Sequence, residues 1–129
     1  MDKHSGYCEI TVNEVVYPVK FGMGAWAIIA QDRGKPMEEL FIGLSETEFV
    51  AWITYGGIKH AALAGYTNNK PPENIHYIYE LMDDLTGEQM GLIGKTFAES
   101  KVIGRTMKEL IDAAAGNDKK KAKAPALKK

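Results

Sequence analysis

The chain of 129 residues contains one cysteine, Cys8, so no intrachain disulfide can form. A lone cysteine in an alternating apolar pattern behaves as a small hydrophobe, and here it reads as a half-buried strand thiol. Long apolar runs are also missing. None approaches the ~20 residues needed to cross a bilayer. The first six residues are polar and hold no apolar core, so no secretory signal is expected. These absences suit a reducing cytoplasm and give no support for a membrane partner. Strong net charge is missing too: the chain carries −1. That small value hides an asymmetry. Residues 117–129 hold six lysines and one aspartate, +5, which leaves residues 1–116 at −6. An acidic body argues against nucleic acid as the partner.

What is present is the ordinary material of one folded domain, 45% apolar and 26% charged. The expected organisation is a single globular domain over 1–116 and a disordered, lysine-rich tail over 117–129. The fold class is α+β and mostly α-helical: an N-terminal β-hairpin, then about five helices. Tyr7, Glu9 and Thr11 alternate with Cys8, Ile10 and Val12. Val15, Tyr17, Val19 and Phe21 alternate on the return, with Asn13-Glu14 as a two-residue turn. Pro18 cannot donate a ladder bond, so its strand lies at an edge or its nitrogen faces away from the partner. Helices are expected at 23–33, closed by Gly34, and at 37–42 after Pro36, bringing Leu40 and Phe41 to the core.

Ser45 and Glu48 form a capping box that opens a helix to about residue 64. That helix is apolar nearly all round and therefore central. Gly56-Gly57 in its middle implies a close neighbour or a bend. Pro72 opens a helix over 72–85 whose stripe is Ile75, Ile78, Tyr79, Met82 and Leu85. Thr86 and Gln89 form a second capping box. The last helix, 86–115, carries Met90, Ile93, Phe97, Met107, Leu110 and Ile111, is weakened by Gly91, Gly94 and Gly104, and ends at Gly116.

Each chemical motif in the chain has a plainer structural reading. Gly22-Met23-Gly24-Ala25-Trp26-Ala27 fits G-x-G-x-x-A, but a hairpin precedes it and no parallel strand with an acidic end follows, so a strand-to-helix turn is the better reading. His4, His60 and His76 have no acidic or thiol neighbours at metal-ligand spacing, so no metal and no cofactor is expected. Asp83-Asp84 reads as a solvated face rather than an acid–base pair. No nucleophile elbow, zinc-protease helix or P-loop occurs, so no catalytic residue is assigned and the chain reads as a non-enzyme. The lysine tail reads as a solubilising end or as an electrostatic arm.

The order of elements resembles the tail assembly chaperones of long-tailed, siphovirus-like bacteriophages and prophages. The similarity lies in Tyr17-Pro18-Val19-Lys20-Phe21-Gly22 closing the hairpin, in Gly34-Lys35-Pro36, in Glu38-Glu39-Leu40-Phe41 and in Tyr55-Gly56-Gly57-Ile58-Lys59-His60. It covers most of residues 7–112. The chain departs from the family in Asn13-Glu14, which replaces an Asn-Gly turn, and in its many glycines.

The resemblance implies a cytoplasmic chaperone that binds the tape measure protein, keeps it soluble, helps recruit the tail tube protein, and is absent from the mature virion. It also implies a longer frameshifted form, which slippage on an adenine-rich stretch encoding Lys119-Lys120-Lys121 would suit. A structural tail or head-completion protein is the alternative. A homo-oligomer is compatible with the sequence. Partner-binding residues are not assigned, although Met23, Met37, Met82, Met90 and Met107 offer either an adaptable surface or core.

Overall fold

Strands β1 (Tyr7–Val12) and β2 (Val15–Lys20) pair antiparallel, with Val12 opposite Val15 and Tyr7 opposite Lys20. Two residues join them, both left-handed: Asn13 at φ 52° and Glu14 at φ 71°. Asparagine accepts that region readily, whereas glutamate costs about 1 kcal/mol there. The Phe21 N–H donates to the Gly6 carbonyl at 2.7 Å. Counting back in twos, Cys8/Val19, Ile10/Tyr17 and Val12/Val15 are the hydrogen-bonded pairs, and Glu9/Pro18 is not. The missing N–H of Pro18 therefore falls where the ladder does not need it. Cys8, Ile10, Val12 and Val19 turn one face of the hairpin into the core.

The computed structural model describes residues 6–102, 105 and 106, the last two and residues 101 and 102 by backbone alone. The chain is α+β and mostly helical, with four α-helices among the described residues: α1 (Met23–Arg33), α2 (Glu46–Leu63), α3 (Ile75–Met82) and α4 (Gly87–Glu99). Helix α1 ends where Gly34 adopts φ 68° and its N–H reaches the Ala30 carbonyl at 2.9 Å. The expected helix over 37–42 is only one 3-10 turn, Met37–Glu39, but it does bury Leu40 and bring Phe41 against the core. The guanidinium of Arg33 donates to the Leu40 carbonyl and ties that segment to α1.

Helix α2 is the axis of the fold. Ser45 Oγ accepts from the Glu48 N–H at 3.2 Å while Glu48 Oε1 accepts from the Ser45 N–H at 2.9 Å. Residues 53–58 are all buried, because β2, α1, α3 and α4 all pack on it. Gly56 and Gly57 make this possible. A β-carbon on Gly56 would stand 2.6 Å from Ile29 Cγ1, and one on Gly57 would stand 2.5 Å from Val19 Cγ1. The glycines thus admit α1 on one side and β2 on the other. At one end of the core, Trp26, Phe41, Phe49, Phe97 and Phe21 meet edge to face, with ring centroids 5.0 to 5.9 Å apart. Such pairs add to their burial energy.

Two helix boundaries differ from expectation. Helix α3 starts at Ile75, not Pro72, because Asn74 caps it: Asn74 Oδ1 accepts from the His76 N–H at 3.0 Å. Pro72 is buried in the preceding loop, and Leu85 is buried just past the helix, next to Thr86. Helix α4 opens on the expected capping box, Gln89 N–H to Thr86 Oγ1 at 3.1 Å and Thr86 N–H to Gln89 Oε1 at 3.0 Å. It does not continue to 115. It stops at Glu99, and the backbone of Lys101–Val102 pairs antiparallel with Arg105–Thr106 as β3 and β4. Ser100 makes the break. It is extended, fully buried, and its hydroxyl donates to the Phe97 carbonyl at 2.6 Å. Gly6, at φ 72°, has no room for a β-carbon beside it: Ser100 Cβ would be 2.8 Å away. The remainder of the expected last helix, residues 107–115, and the tail, 117–129, lie outside the described residues.

Candidate interaction surface

The glycines of Gly22-Met23-Gly24 have structural tasks. Gly22 takes φ 144°, a conformation closed to side chains, at the strand-to-helix corner. A β-carbon on Gly24 would collide with the imidazole of His60, which lies over that glycine. Burial and the nearby Lys20 ammonium hold His60 below its usual pKa, so the ring is packed as a neutral group. His76 is on another helix, exposed, 6.4 Å from the Tyr79 ring. His4 lies outside the described residues. Among the described residues, no three His, Cys, Asp or Glu side chains gather as metal ligands. Cys8 is buried more fully than expected, and burial raises its pKa despite a hydrogen bond with Thr96. Asp83 and Asp84 are both exposed, and Asp84 accepts from Asn13 Nδ2 at 3.0 Å.

One polar cluster was not foreseen. The Tyr55 hydroxyl donates to Asp32 Oδ2, and Lys59 Nζ donates to the Tyr55 oxygen at 2.9 Å and to Asp32 at 3.4 Å. Burial, then Asp32, pushes the Tyr55 pKa up, with Lys59 opposing. The cluster serves to fasten α1 to α2, and Tyr55 and Lys59 stand four apart on one helical face to do so.

The unspent chemistry is apolar and lies towards the turn, on the same face of the hairpin as Cys8, Ile10, Val12 and Val19. Val15 is 40% exposed and Tyr77 45%. Burial first and the neighbouring Tyr77 hydroxyl second push the Tyr17 pKa up to about 12. Val15 and Tyr17 sit two apart on one face of β2, so Val15, Tyr17 and Tyr77 run together from strand to helix. Beyond Tyr77 lies a pocket of about 340 Å³ whose walls include Pro71, Pro72, Glu73, His76, Tyr77 and Glu80. Asn69 Nδ2 donates to the Val16 carbonyl at 2.8 Å and holds the pocket loop against β2.

Of the methionines, Met82 and Met90 pack against the core, Met37 is half-buried and Met23 is 45% exposed; the side chain of Met107 lies outside the described residues. From sequence alone no residue is assigned to this surface; the signal that could have found it is Tyr77, an aromatic that falls off the Ile75, Ile78, Met82 stripe. Comparison with protein-family models, curated proteins and solved structures returns no match.

Proposed function

We propose that the chain is a non-enzymatic phage tail assembly chaperone that binds the tape measure protein and helps recruit tail tube subunits around it. The observation that carries this reading is the pair of exposed residues Val15 and Tyr77, joined by half-buried Tyr17, with the adjoining pocket, set against polar groups already engaged in holding the fold. A protein that keeps an extended helical client soluble needs such a surface, because a helix lays its apolar face into an apolar groove. The resemblance of Tyr17-Pro18-Val19-Lys20-Phe21-Gly22 and Tyr55-Gly56-Gly57-Ile58-Lys59-His60 to the tail assembly chaperones supplies the choice of client. Action in the host cytoplasm, and absence from the finished virion, belong to the same proposal. No helix among the described residues is long and apolar enough to cross a membrane.

The test is co-expression with the tape measure protein of the same genome. The expected outcome is that the tape measure protein stays soluble and co-purifies with the chain. Recovery of the chain from purified virions would favour a structural tail or head-completion protein instead.

A further inference from the structure

The surface along α3 and β2 has a charge pattern as well as a shape. Asn13 in the hairpin turn meets Asp84 just past α3 at 3.0 Å, and Tyr77 of α3 neighbours Tyr17 of β2, so the outer end of the hairpin and α3 border one strip. Acidic side chains border the apolar run. Glu73 and Glu80 line the pocket with Tyr77, and Asp83 and Asp84 close the far end of α3. Glu14 stands at the turn next to Val15, in a left-handed conformation that glycine would adopt at less cost. Lys70 and His76 also line the pocket and match Glu73 and Glu80 in number, so the acidic excess of the strip comes from Glu14, Asp83 and Asp84 beyond the pocket.

Resting on the chaperone reading above, we propose that this strip binds a basic amphipathic helix of the client. Its apolar side covers Val15 and Tyr77 and enters the Pro71–Pro72 pocket. Its lysines or arginines face Glu14, Glu73 and Glu80. Charge complementarity of this kind sets orientation and speeds encounter more than it adds affinity. The chain's own lysine-rich segment, 117–129, is the competing occupant.

The experiment uses the full chain and a fluorescein-labelled peptide of about 18 leucines and lysines in helical amphipathic order. A matched peptide carries glutamate for every lysine. Fluorescence anisotropy should show binding of the lysine peptide alone, weakening as salt rises from about 50 to about 500 mM. Tyr77→Ala and Val15→Ser should each weaken binding about tenfold or more, and Glu80→Lys should weaken it in the same direction. Ile42→Ser and Leu63→Ser, at sites 61% and 62% exposed elsewhere on the chain, should bind as the parent does.

Equal binding of the glutamate peptide, or unchanged binding by Tyr77→Ala and Val15→Ser, would overturn the proposal. So would a tenfold gain on deleting 117–129, which would make the tail the occupant. Circular dichroism and urea midpoints keep folding defects apart from binding defects. The two readings fail separately. Retention of the tape measure protein by the Val15→Ser/Tyr77→Ala double variant at parental level removes the site and leaves the chaperone. Peptide binding through Tyr77 without retention of the tape measure protein removes the chaperone and leaves the site.

Discussion

Gly56 and Ile29 are packed so closely that a methyl group on the glycine would stand 2.6 Å from Cγ1 of the isoleucine and 3.0 Å from the Ala25 carbonyl oxygen. Helix α2 therefore keeps a residue that is poor for helices in order to bring α1 near.

Substituting alanine should separate the glycines of this chain into two groups. Gly56→Ala and Gly57→Ala gain about 1 kcal/mol of helix propensity. They lose more than that to overpacking against Ile29 and against Val19 and Phe21, where about 1–3 kcal/mol is usual. Both should lower the urea midpoint. Gly91→Ala and Gly94→Ala lie in α4 with nothing within 4 Å of the added carbon, and each should raise stability by about 0.5–1 kcal/mol. A stabilising Gly56→Ala would contradict the packing described.

Thr54 is fully buried and its hydroxyl makes no hydrogen bond. Thr54→Val keeps the shape and removes the unsatisfied group. The expected result is unchanged or higher stability, by about 1 kcal/mol at most. A loss of 2 kcal/mol or more in chemical denaturation would mean that the hydroxyl has a role in the folded protein.

His60 gives a pH dependence of defined sign. Its folded pKa lies below the ordinary 6.5, so the unfolded chain binds the proton more readily. Its stabilising contribution is complete above 6.5 and is lost as pH falls from there through the lower folded value. The urea midpoint should drop between pH 7.5 and pH 5.5, roughly spanning that window. In His60→Gln the drop should shrink, because the titrating ring over Gly24 is gone. An identical drop in the variant would assign the effect to other groups.

Much of the fold was legible because it is local. Alternation marks the hairpin, and Ser45 with Glu48 and Thr86 with Gln89 mark the starts of α2 and α4 through contacts three residues apart. The end of α4 was not legible. Its determinant is Ser100 buried beside Gly6, a neighbour from the far end of the chain, and no helical periodicity reports such a contact. Proline suits a first turn, so the sequence places the start of α3 one turn early, but Asn74 is the better cap. The candidate surface was half legible. Tyr77 is visible as an aromatic off the apolar stripe, whereas its place beside Tyr17 and Val15 depends on how α3 lies on the hairpin. The Tyr55–Asp32–Lys59 cluster likewise joins two helices whose closeness only the glycines made inferable.

The outer side of β2 has little backbone to lend. Its Val16 carbonyl is taken by Asn69, and Pro18 has no N–H. Across the hairpin, Gln89 Nε2 takes the Thr11 carbonyl at 2.8 Å. A partner lying beside Val15 is therefore gripped by side chains and not by an added strand, and side chains read spacing and charge rather than a particular string of residues. Every stretch of a long, repetitive helix with the right spacing is then an equivalent seat. On the proposed chaperone reading, the number of copies bound then follows the length of the client helix.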